Sequence, residues 1–290
     1  MSWRIVVISS RAKLDLKMNY LVVRGETLTK VHLSEISILM IESTAVSLTA
    51  SLLAEMSRRK IKVIFCDEKR NPSAELVPYY GSHDTSGKIR EQICWTDSIK
   101  GAVWTEIISE KIRMQSAVLK SKKKSEAELL DRYINEMEFA DTTNREGHAA
   151  KVYFNAIFGM GFTRTADTNI NAALNYGYSI IMSAFSREIS ALGYITQLGL
   201  WHNNQFNQFN LASDLMEPFR PIVDARVIKL KPEKFEHEEK MQVLEIMNHE
   251  VIIEDRKQQV DNAIKIYTKS IFNALSENDV SLIRFYRNEL

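Results

Sequence analysis

Short apolar runs separated by turn residues dominate the first third of the chain and predict β-strands there. The predicted strands cover residues 4–9, 13–17, 20–24, 35–41, 62–66 and 76–80. One helix interrupts them, because Leu48, Leu52 and Met56 fall at helical spacing. Ser47 is a favourable residue to cap its start. The pattern therefore indicates a small β-rich domain that contains one helix.

After residue 89 the apolar positions recur with the 3.6-residue period of an α-helix. Ile99, Val103, Ile107 and Ile112 form one apolar stripe. Further helical patterns cover residues 126–139, 149–158, 171–191, 235–247 and 255–275. We therefore predict an α+β protein, with a β-rich domain at residues 1–95 and a larger all-helical domain at residues 96–290.

Composition changes this picture little. Hydrophobic residues make up 45% of the chain and charged residues 26%, which are ordinary values for a protein that buries a sizeable core. No apolar run approaches the roughly 18 residues needed to span a bilayer, and the first residues do not have the pattern of a secretory signal. With only Cys66 and Cys94, a disulfide framework and a four-cysteine zinc site are excluded. We expect a cytoplasmic protein with no membrane partner.

Global charge neither indicates nor excludes a nucleic-acid partner. The chain has 38 basic and 37 acidic residues, a formal charge of +1, but phosphate binding depends on local charge. No Gly-rich phosphate loop precedes a helix, no Gly-x-Ser-x-Gly elbow occurs, and neither cysteine has a histidine nearby in sequence. The remaining candidates for chemistry are carboxylates and imidazoles in the helical region.

Glu146 is the first of these candidates. It shares a helix face with Ala149, Ala150 and Tyr153, which follow it by three, four and seven positions. The two alanines leave room for a substrate or a metal ion, and the Tyr153 hydroxyl is placed to orient the carboxylate. A Thr-x-x-Glu capping box from Thr143 is the structural alternative, which explains the glutamate without catalysis.

His202 and a pair of acids are the other candidates. A neutral imidazole can ligate a manganese ion or move a proton, although a lone histidine in a loop is often structural. Asp214 and Glu217 are three positions apart and share a face on a helical turn, where an Asp-x-x-Glu capping box is again the alternative. Pro218 disfavours helical geometry at Glu217, and the Arg220 guanidinium can hold a phosphate.

Together these residues form a set of hard metal ligands. Two carboxylates about 4 Å apart repel by roughly 4 kcal/mol at an effective dielectric constant of about 20, and a divalent cation removes that repulsion. Oxygen ligands with one imidazole favour Mn²⁺ or Mg²⁺ over zinc. Such an ion activates a hydroxyl and stabilises charge on a phosphodiester. Sequence spacing alone does not show that these distant positions converge.

Four motifs in this order resemble the signature of the CRISPR adaptation integrases, the universal spacer-acquisition nuclease family. They are REGHAA at 145–150, NxxxNYGY at 171–178, GLxH at 199–202 and NxxSDLMEPFRP at 210–221. The stretch HxNQFNQFN at 202–210 is similar to the type II-A branch. The resemblance covers nearly the whole chain. It favours the interpretation of Glu146 and Glu217 as metal ligands over the two capping-box alternatives.

The resemblance implies a β-rich dimerisation domain followed by a helical catalytic domain that binds metal and DNA. It also implies homodimers that clamp a small CRISPR adaptation partner protein. The implied activity inserts captured double-stranded DNA at the leader-proximal repeat by transesterification. The resemblance assigns Mn²⁺ or Mg²⁺ to Glu146, His202 and Glu217, and it places the acidic Asp214 close to these ligands. Tyr153 keeps the role that helix spacing gives it, which is to orient the Glu146 carboxylate. Many relatives have aspartate where this chain has Glu217, so ligand distances are expected to differ.

Basic residues near the motifs are candidates for DNA binding, with Arg220 favoured because it lies beside the acidic motif. The candidates are Arg220, Arg145, Arg164, Arg58 and Arg59. A solvated helix end is the alternative interpretation for each exposed basic cluster. Two other functions stay open, namely a non-catalytic DNA-binding scaffold and a general metal-dependent nuclease.

Overall fold

A computed structural model describes residues 4–76 and 82–288. The chain divides into two compact units, one of Met1–Thr85 with Ser190–Gly193 and one of Ser86–Ile189 with Tyr194–Leu290. The boundary predicted near residue 95 falls just after the first helix of the second unit. Most of the strand predicted at 76–80 lies outside the described residues.

The first unit is β-rich and contains one α-helix among the described residues. Its elements are β1 (Arg4–Ile8), β2 (Ala12–Lys17), β3 (Tyr20–Arg24), β4 (Leu28–His32), β5 (Ile36–Ile41), β6 (Val46–Leu48), α1 (Ala50–Arg58), β7 (Lys62–Cys66) and β8 (Pro72–Glu75). One sheet has the order β4-β3-β2-β6, in which β2, β3 and β4 are antiparallel and β6 joins β2 in parallel. The other has the order β1-β5-β7-β8, with only β8 antiparallel.

Burial explains why this part of the sequence forms strands. Every residue of β5 is buried, as is expected of a central parallel strand covered on both faces. Leu14, Leu39 and Met56 belong to one apolar core cluster that joins the strands to α1. The α1 cap is Thr49, whose side chain accepts from the Leu52 amide, so the prediction that Ser47 caps this helix is wrong.

The second unit is mainly helical. Its helices are α2 (Thr85–Ile93), α3 (Asp97–Ser121), α4 (Ala127–Asn135), α5 (Arg145–Phe158), α6 (Asn169–Ala191), α7 (Asn210–Leu215), α8 (Arg220–Leu230), α9 (His237–Leu244) and α10 (Val260–Glu277). Short 3₁₀ turns occur at Phe139–Asp141, Glu217–Phe219, Glu245–Asn248 and Val280–Leu282. The fold class predicted from the sequence, a β-rich region followed by a larger helical one, is confirmed.

One hairpin departs from the predicted all-helical region. Strands β9 (Glu250–Ile253) and β10 (Arg256–Gln259) pair antiparallel, so the helix predicted from residue 255 begins only at Val260. Glu254 and Asp255 both have positive φ angles, of 50° and 57°. Two consecutive residues of this kind suit the tight turn of a hairpin and cannot lie inside a helix.

An aromatic core fixes the segment that follows α7. The Phe219 ring lies 5.3 Å from the Phe185 ring and 4.6 Å from the Tyr286 ring, measured between centroids. The Tyr286 hydroxyl donates to the Pro218 carbonyl over 2.8 Å. These contacts hold the 3₁₀ turn that begins at Glu217. Among the residues that the structure describes, no helix combines the length and apolar character needed to cross a bilayer.

Candidate active site

A cleft of about 260 Å³ in the helical unit brings together residues that are far apart in sequence. Glu146, His202 and Glu217 all line it, so the three predicted ligand residues face one cavity. The other lining residues are Lys111, Gln115, Ala150, Phe154, Arg164, Tyr178, Arg220 and Asp224.

Glu146 is free of any capping role. The cap of α5 is Asn144, which has a left-handed backbone and accepts from the Gly147 amide. Asp141 accepts from the amides of Arg145 and Glu146, over 2.6 and 3.0 Å. The capping box proposed from Thr143 is therefore wrong, because two other side chains satisfy this helix start. The Glu146 carboxylate instead turns to the cleft.

Asp214 organises the loop that carries His202. Its carboxylate is fully buried and accepts from the amides of Leu200, Trp201 and His202, over 2.6, 3.1 and 3.1 Å. Gly199 makes this approach possible, because a Cβ there would lie 2.3 Å from the His202 carbonyl oxygen. The Asp-x-x-Glu capping box is also wrong, since Asp214 caps a loop and not its own helix.

The imidazole of His202 is oriented by the same carboxylate. Its Nδ1 lies 2.5 Å from Asp214 Oδ1, so Nδ1 is the protonated nitrogen in the neutral ring and Nε2 is left for the cleft. The edge of the His202 ring meets the buried Trp104 indole at a centroid distance of 5.8 Å. The hydrogen bond to Asp214 raises the pKa of His202, against the opposing effect of burial.

Glu217 is a buried acid neutralised by cations. Burial alone would raise its pKa, but Arg220 and Lys111 outweigh burial and hold the pKa of Glu217 at about 2. Arg220 Nε donates to Oε1 over 2.7 Å, and Lys111 pairs with Oε2. As Pro218 predicts, α7 has ended and Glu217 begins a 3₁₀ turn.

Sequence reasoning missed Lys111, which lies between the two glutamates. Its ammonium is 2.5 Å from Glu146 Oε1 and also pairs with Glu217. Burial would lower the pKa of Lys111, but the two carboxylates raise it, so the side chain stays charged. A signal was present: Lys111 follows Ile107 and Ile108 by four and three positions on a helix, which puts it on an apolar stripe.

A second buried acid, Asp224, was also missed. The Tyr178 hydroxyl donates to Asp224 Oδ1 over 2.5 Å, and burial raises the pKa of Asp224 to about 6. The predicted hydrogen bond from Tyr153 to Glu146 is not formed, and the buried Tyr153 hydroxyl has no partner in good geometry among the described residues. Burial raises the pKa of Tyr153 well above its ordinary value, and the nearby Asp224 carboxylate adds to the increase.

Comparison with known proteins decides the family. The family model described as CRISPR associated protein Cas1 matches residues 5–255. The chain is 35% identical over 233 residues to the CRISPR-associated endonuclease Cas1 of Neisseria meningitidis, covering 79% of this chain and 76% of that protein. The chain belongs to the Cas1 family.

Two solved structures share the Cas1-like fold at low sequence identity. A casposase bound to integration product matches with a TM-score of 0.77 and 17% identity, covering 97% of this chain and 92% of that one. A Cas6-RT-Cas1–Cas2 complex matches with a TM-score of 0.73 and 15% identity. That alignment covers 97% of this chain but only 36% of the longer chain in the complex.

In this Cas1-family chain, two of the five predicted DNA-binding arginines line the cleft, and the other three form ion pairs elsewhere. Arg220 and Arg164 line the cleft, and both guanidiniums lie over the Tyr178 ring, at 4.7 and 5.3 Å from its centroid. Arg145 instead pairs with Glu136. Arg58 and Arg59, on α1 in the first unit, both pair with Glu55.

The cleft contains carboxylates and an imidazole, the donor types that hard divalent ions such as Mn²⁺ take. As placed, no group of three histidine, cysteine or acidic side chains within residues 4–76 and 82–288 could hold a metal ion, and the Lys111 ammonium is the cation between the two glutamates. Glu217 Oε2 is buried and accepts no well-directed hydrogen bond. The carboxylate behind His202 is the usual partner of a metal-binding imidazole. The donor types therefore suit Mn²⁺ or Mg²⁺, although in this structure the Lys111 ammonium occupies the position between the two glutamates.

Proposed function

We propose that this protein is the metal-dependent DNA endonuclease and integrase of a CRISPR adaptation system. It joins the 3′-hydroxyl of captured foreign DNA to the leader-proximal repeat by transesterification. The observation that carries the proposal is the convergence of Glu146, His202 and Glu217 in one cleft of a Cas1-family chain.

The side chains divide the work by their chemistry. Glu146 and Glu217 would hold Mn²⁺ or Mg²⁺ with the Nε2 atom of His202, and the bound ion supplies charge that activates a hydroxyl and stabilises the leaving oxygen. Asp214 fixes the ring so that Nε2 faces the reacting groups. Arg220 and Arg164 bind phosphate oxygens through their guanidiniums.

The proposed assembly contains double-stranded DNA, a second copy of this chain and a small partner protein. The matched Cas1–Cas2 complex and the DNA-bound casposase support a partner of the Cas2 kind and a DNA substrate. The motif at residues 202–210 supports the type II-A branch. Dimerisation is proposed through the β-rich first unit. Sedimentation at micromolar concentration tests the dimer, and a species of only 33.4 kDa would contradict it.

The decisive experiment is a strand-transfer assay with the full chain, a Cas2-type partner, labelled DNA, a repeat target and Mn²⁺. The variants Glu146→Gln, Glu217→Gln and His202→Asn should each lower the yield of branched joint product by about 100-fold or more. Loss of a partner behind a metal ligand already costs about 10- to 100-fold, and a direct ligand should matter at least as much. Glu277→Gln and His83→Asn are matched controls, because both residues are exposed and distant in sequence from the motifs.

The outcomes separate the three functions. Joint product that disappears in the three variants and persists in the two controls supports the integrase. Undiminished product in all three variants would show a scaffold whose acids and imidazole take no part in the reaction. Cleaved fragments without joint product from the wild type would show a general nuclease.

A further inference from the structure

The loop that carries His202 also presents an exposed indole next to it. The Trp201 side chain is 49% exposed, whereas the Trp104 ring beneath it is 1% exposed. The two indoles are nearly parallel, with an interplanar angle of 7° and a centroid distance of 5.8 Å. Trp104 therefore packs against one side of the Trp201 ring, and about half of Trp201 stays exposed, which leaves aromatic surface for a ligand.

The position of this indole is fixed by the same groups that fix His202. The Trp201 amide donates to Asp214 Oδ2 over 3.1 Å, and the His202 amide donates to the other oxygen of that carboxylate. The Trp104 ring contacts both Trp201 and His202 at 5.8 Å, the first face to face and the second edge to face. One buried indole thus sets the position of a cleft-lining imidazole and of an exposed aromatic face beside it.

A nucleobase is a ligand that suits a rigid, exposed aromatic face. Bases stack on aromatic side chains with little dependence on sequence, because every base has a π-face. The arrangement differs from that of Phe206 on the same loop, which is 85% exposed and does not share the Trp104 support. A preorganised ring loses little freedom when a ligand stacks on it.

We propose that Trp201 stacks on an exposed nucleobase at the end of the DNA that enters the cleft. This inference rests on the proposed function, which brings a DNA end to His202. Within a closed duplex both faces of each base are covered by neighbours, so the ligand is an unpaired base or the outer face of a terminal pair. Trp201 is then a binding residue that holds the DNA end at a fixed position relative to the cleft.

The test is DNA binding by the full chain without metal, measured by fluorescence anisotropy on three labelled probes. The probes are a duplex with single-stranded 3′ ends, a blunt duplex and a relaxed closed circle. Trp201→Leu removes the aromatic face but keeps an apolar group over Trp104, and Trp201→Phe keeps an aromatic ring. Phe206→Leu makes a similar change on the same loop and is the matched control. Thermal unfolding of each variant checks that the fold is intact.

Trp201→Leu should weaken binding of an open-ended probe by about 5- to 150-fold, the range that corresponds to 1–3 kcal/mol of stacking. Trp201→Phe should stay within about threefold of the wild type, and the circle should bind all variants equally. The salt dependence should not change, because no phosphate contact is lost. Weakening confined to the overhang probe identifies an unpaired base, and weakening on both open probes identifies the terminal pair.

Intrinsic fluorescence gives a second readout. Trp95 and Trp104 are both buried, and Trp3, which lies outside the described residues, is replaced by phenylalanine in all proteins compared. In that Trp3→Phe background, quenching by open-ended DNA should be largely lost in Trp201→Leu. Equal affinity of Trp201→Leu and the wild type for both open probes would overturn the inference, as would an equal loss on the circle or in Phe206→Leu. If the wild type forms joint product and Trp201→Leu binds DNA as tightly as the wild type, only this inference is contradicted. If the wild type forms no joint product, the proposed function itself is contradicted.

Discussion

Two buried carboxylates in neighbouring turns of the chain, Asp214 and Glu217, are satisfied in different ways. Asp214 accepts from three backbone amides and one imidazole of the loop at residues 200–202. Glu217 is neutralised by the side chains of Lys111 and Arg220. Backbone amides cannot leave without unfolding the loop, whereas side-chain cations can change rotamer. The comparison indicates that Asp214 holds the backbone of this loop in place, whereas the charge of Glu217 is compensated by side chains alone.

The largest expected effect comes from removing the backbone-satisfied acid. Asp214→Ala leaves the amides of residues 200–202 without their acceptor, so the free energy of unfolding should fall by about 3–5 kcal/mol. Urea denaturation followed by circular dichroism measures this change. Asp167→Ala, at an exposed loop position, should change stability by less than about 0.5 kcal/mol. Equal costs in the two variants would refute the structural role of Asp214.

Asp224 offers a third case for this comparison. It is buried like Glu217, but among the described residues no lysine or arginine pairs with it as closely as Lys111 and Arg220 pair with Glu217. Its pKa is about 6 in the folded protein and 3.8 in the reference state, so the folded chain holds this proton while the unfolded chain releases it. Stability contributed by Asp224 is therefore lost as the pH rises from about 4 to 6. A shift of about two units corresponds to about 3 kcal/mol.

Asp224→Asn should remove that loss, since the amide still accepts from the Tyr178 hydroxyl and does not ionise. Relative to the wild type, the variant should gain about 3 kcal/mol of stability between pH 4 and pH 7. Unfolding curves at several pH values measure the difference, with Asp167→Asn as the control. A difference that does not change with pH would show that Asp224 ionises normally in the folded protein.

The smallest expected effect is the coupling between Lys111 and Glu217. Each single variant, Lys111→Met or Glu217→Gln, leaves a buried charge with fewer partners, but the double variant removes both charges together. A double-mutant cycle on unfolding free energies should therefore give a coupling of about 2 kcal/mol. If the unfolding free energies of the two single variants simply add in the double variant, the Lys111 ammonium does not compensate the Glu217 carboxylate. The difference between Glu217 and Asp214 would then no longer hold.

Local patterns predicted much of the fold. The apolar stripe from Ile99 to Ile112 lies inside α3, and the aliphatic run at residues 35–41 contains the fully buried β5. The hairpin of β9 and β10 was missed because alternation over four residues is a weak signal beside a long helical pattern. Asp255 was the available sign, because aspartate is enriched among non-glycine residues with positive φ, although Glu254 before it is not of that kind.

The helix caps show the limit of local motifs. Thr143 and Glu146 have the spacing of a capping box, yet Asn144 and Asp141 take the role. Several residues near a helix start can satisfy the same amides, and a motif does not decide among them. Tyr153 was likewise placed on the correct helix face, but its hydroxyl lies near Asp224 because packing between helices sets the depth of each side chain.

By itself the sequence determined the fold class, the family motifs and the residue types suited to phosphodiester chemistry, because periodicity and short motifs are local properties of the chain. Only the tertiary structure decided that Glu146, His202 and Glu217 line one cleft, and that Lys111 lies between the acids. It also decided that Trp104 supports Trp201 and His202 together. The contacts of Lys111 and Trp104 join residues 35 to 106 positions apart in the chain, and such distances are closed by packing of the helices rather than by local spacing.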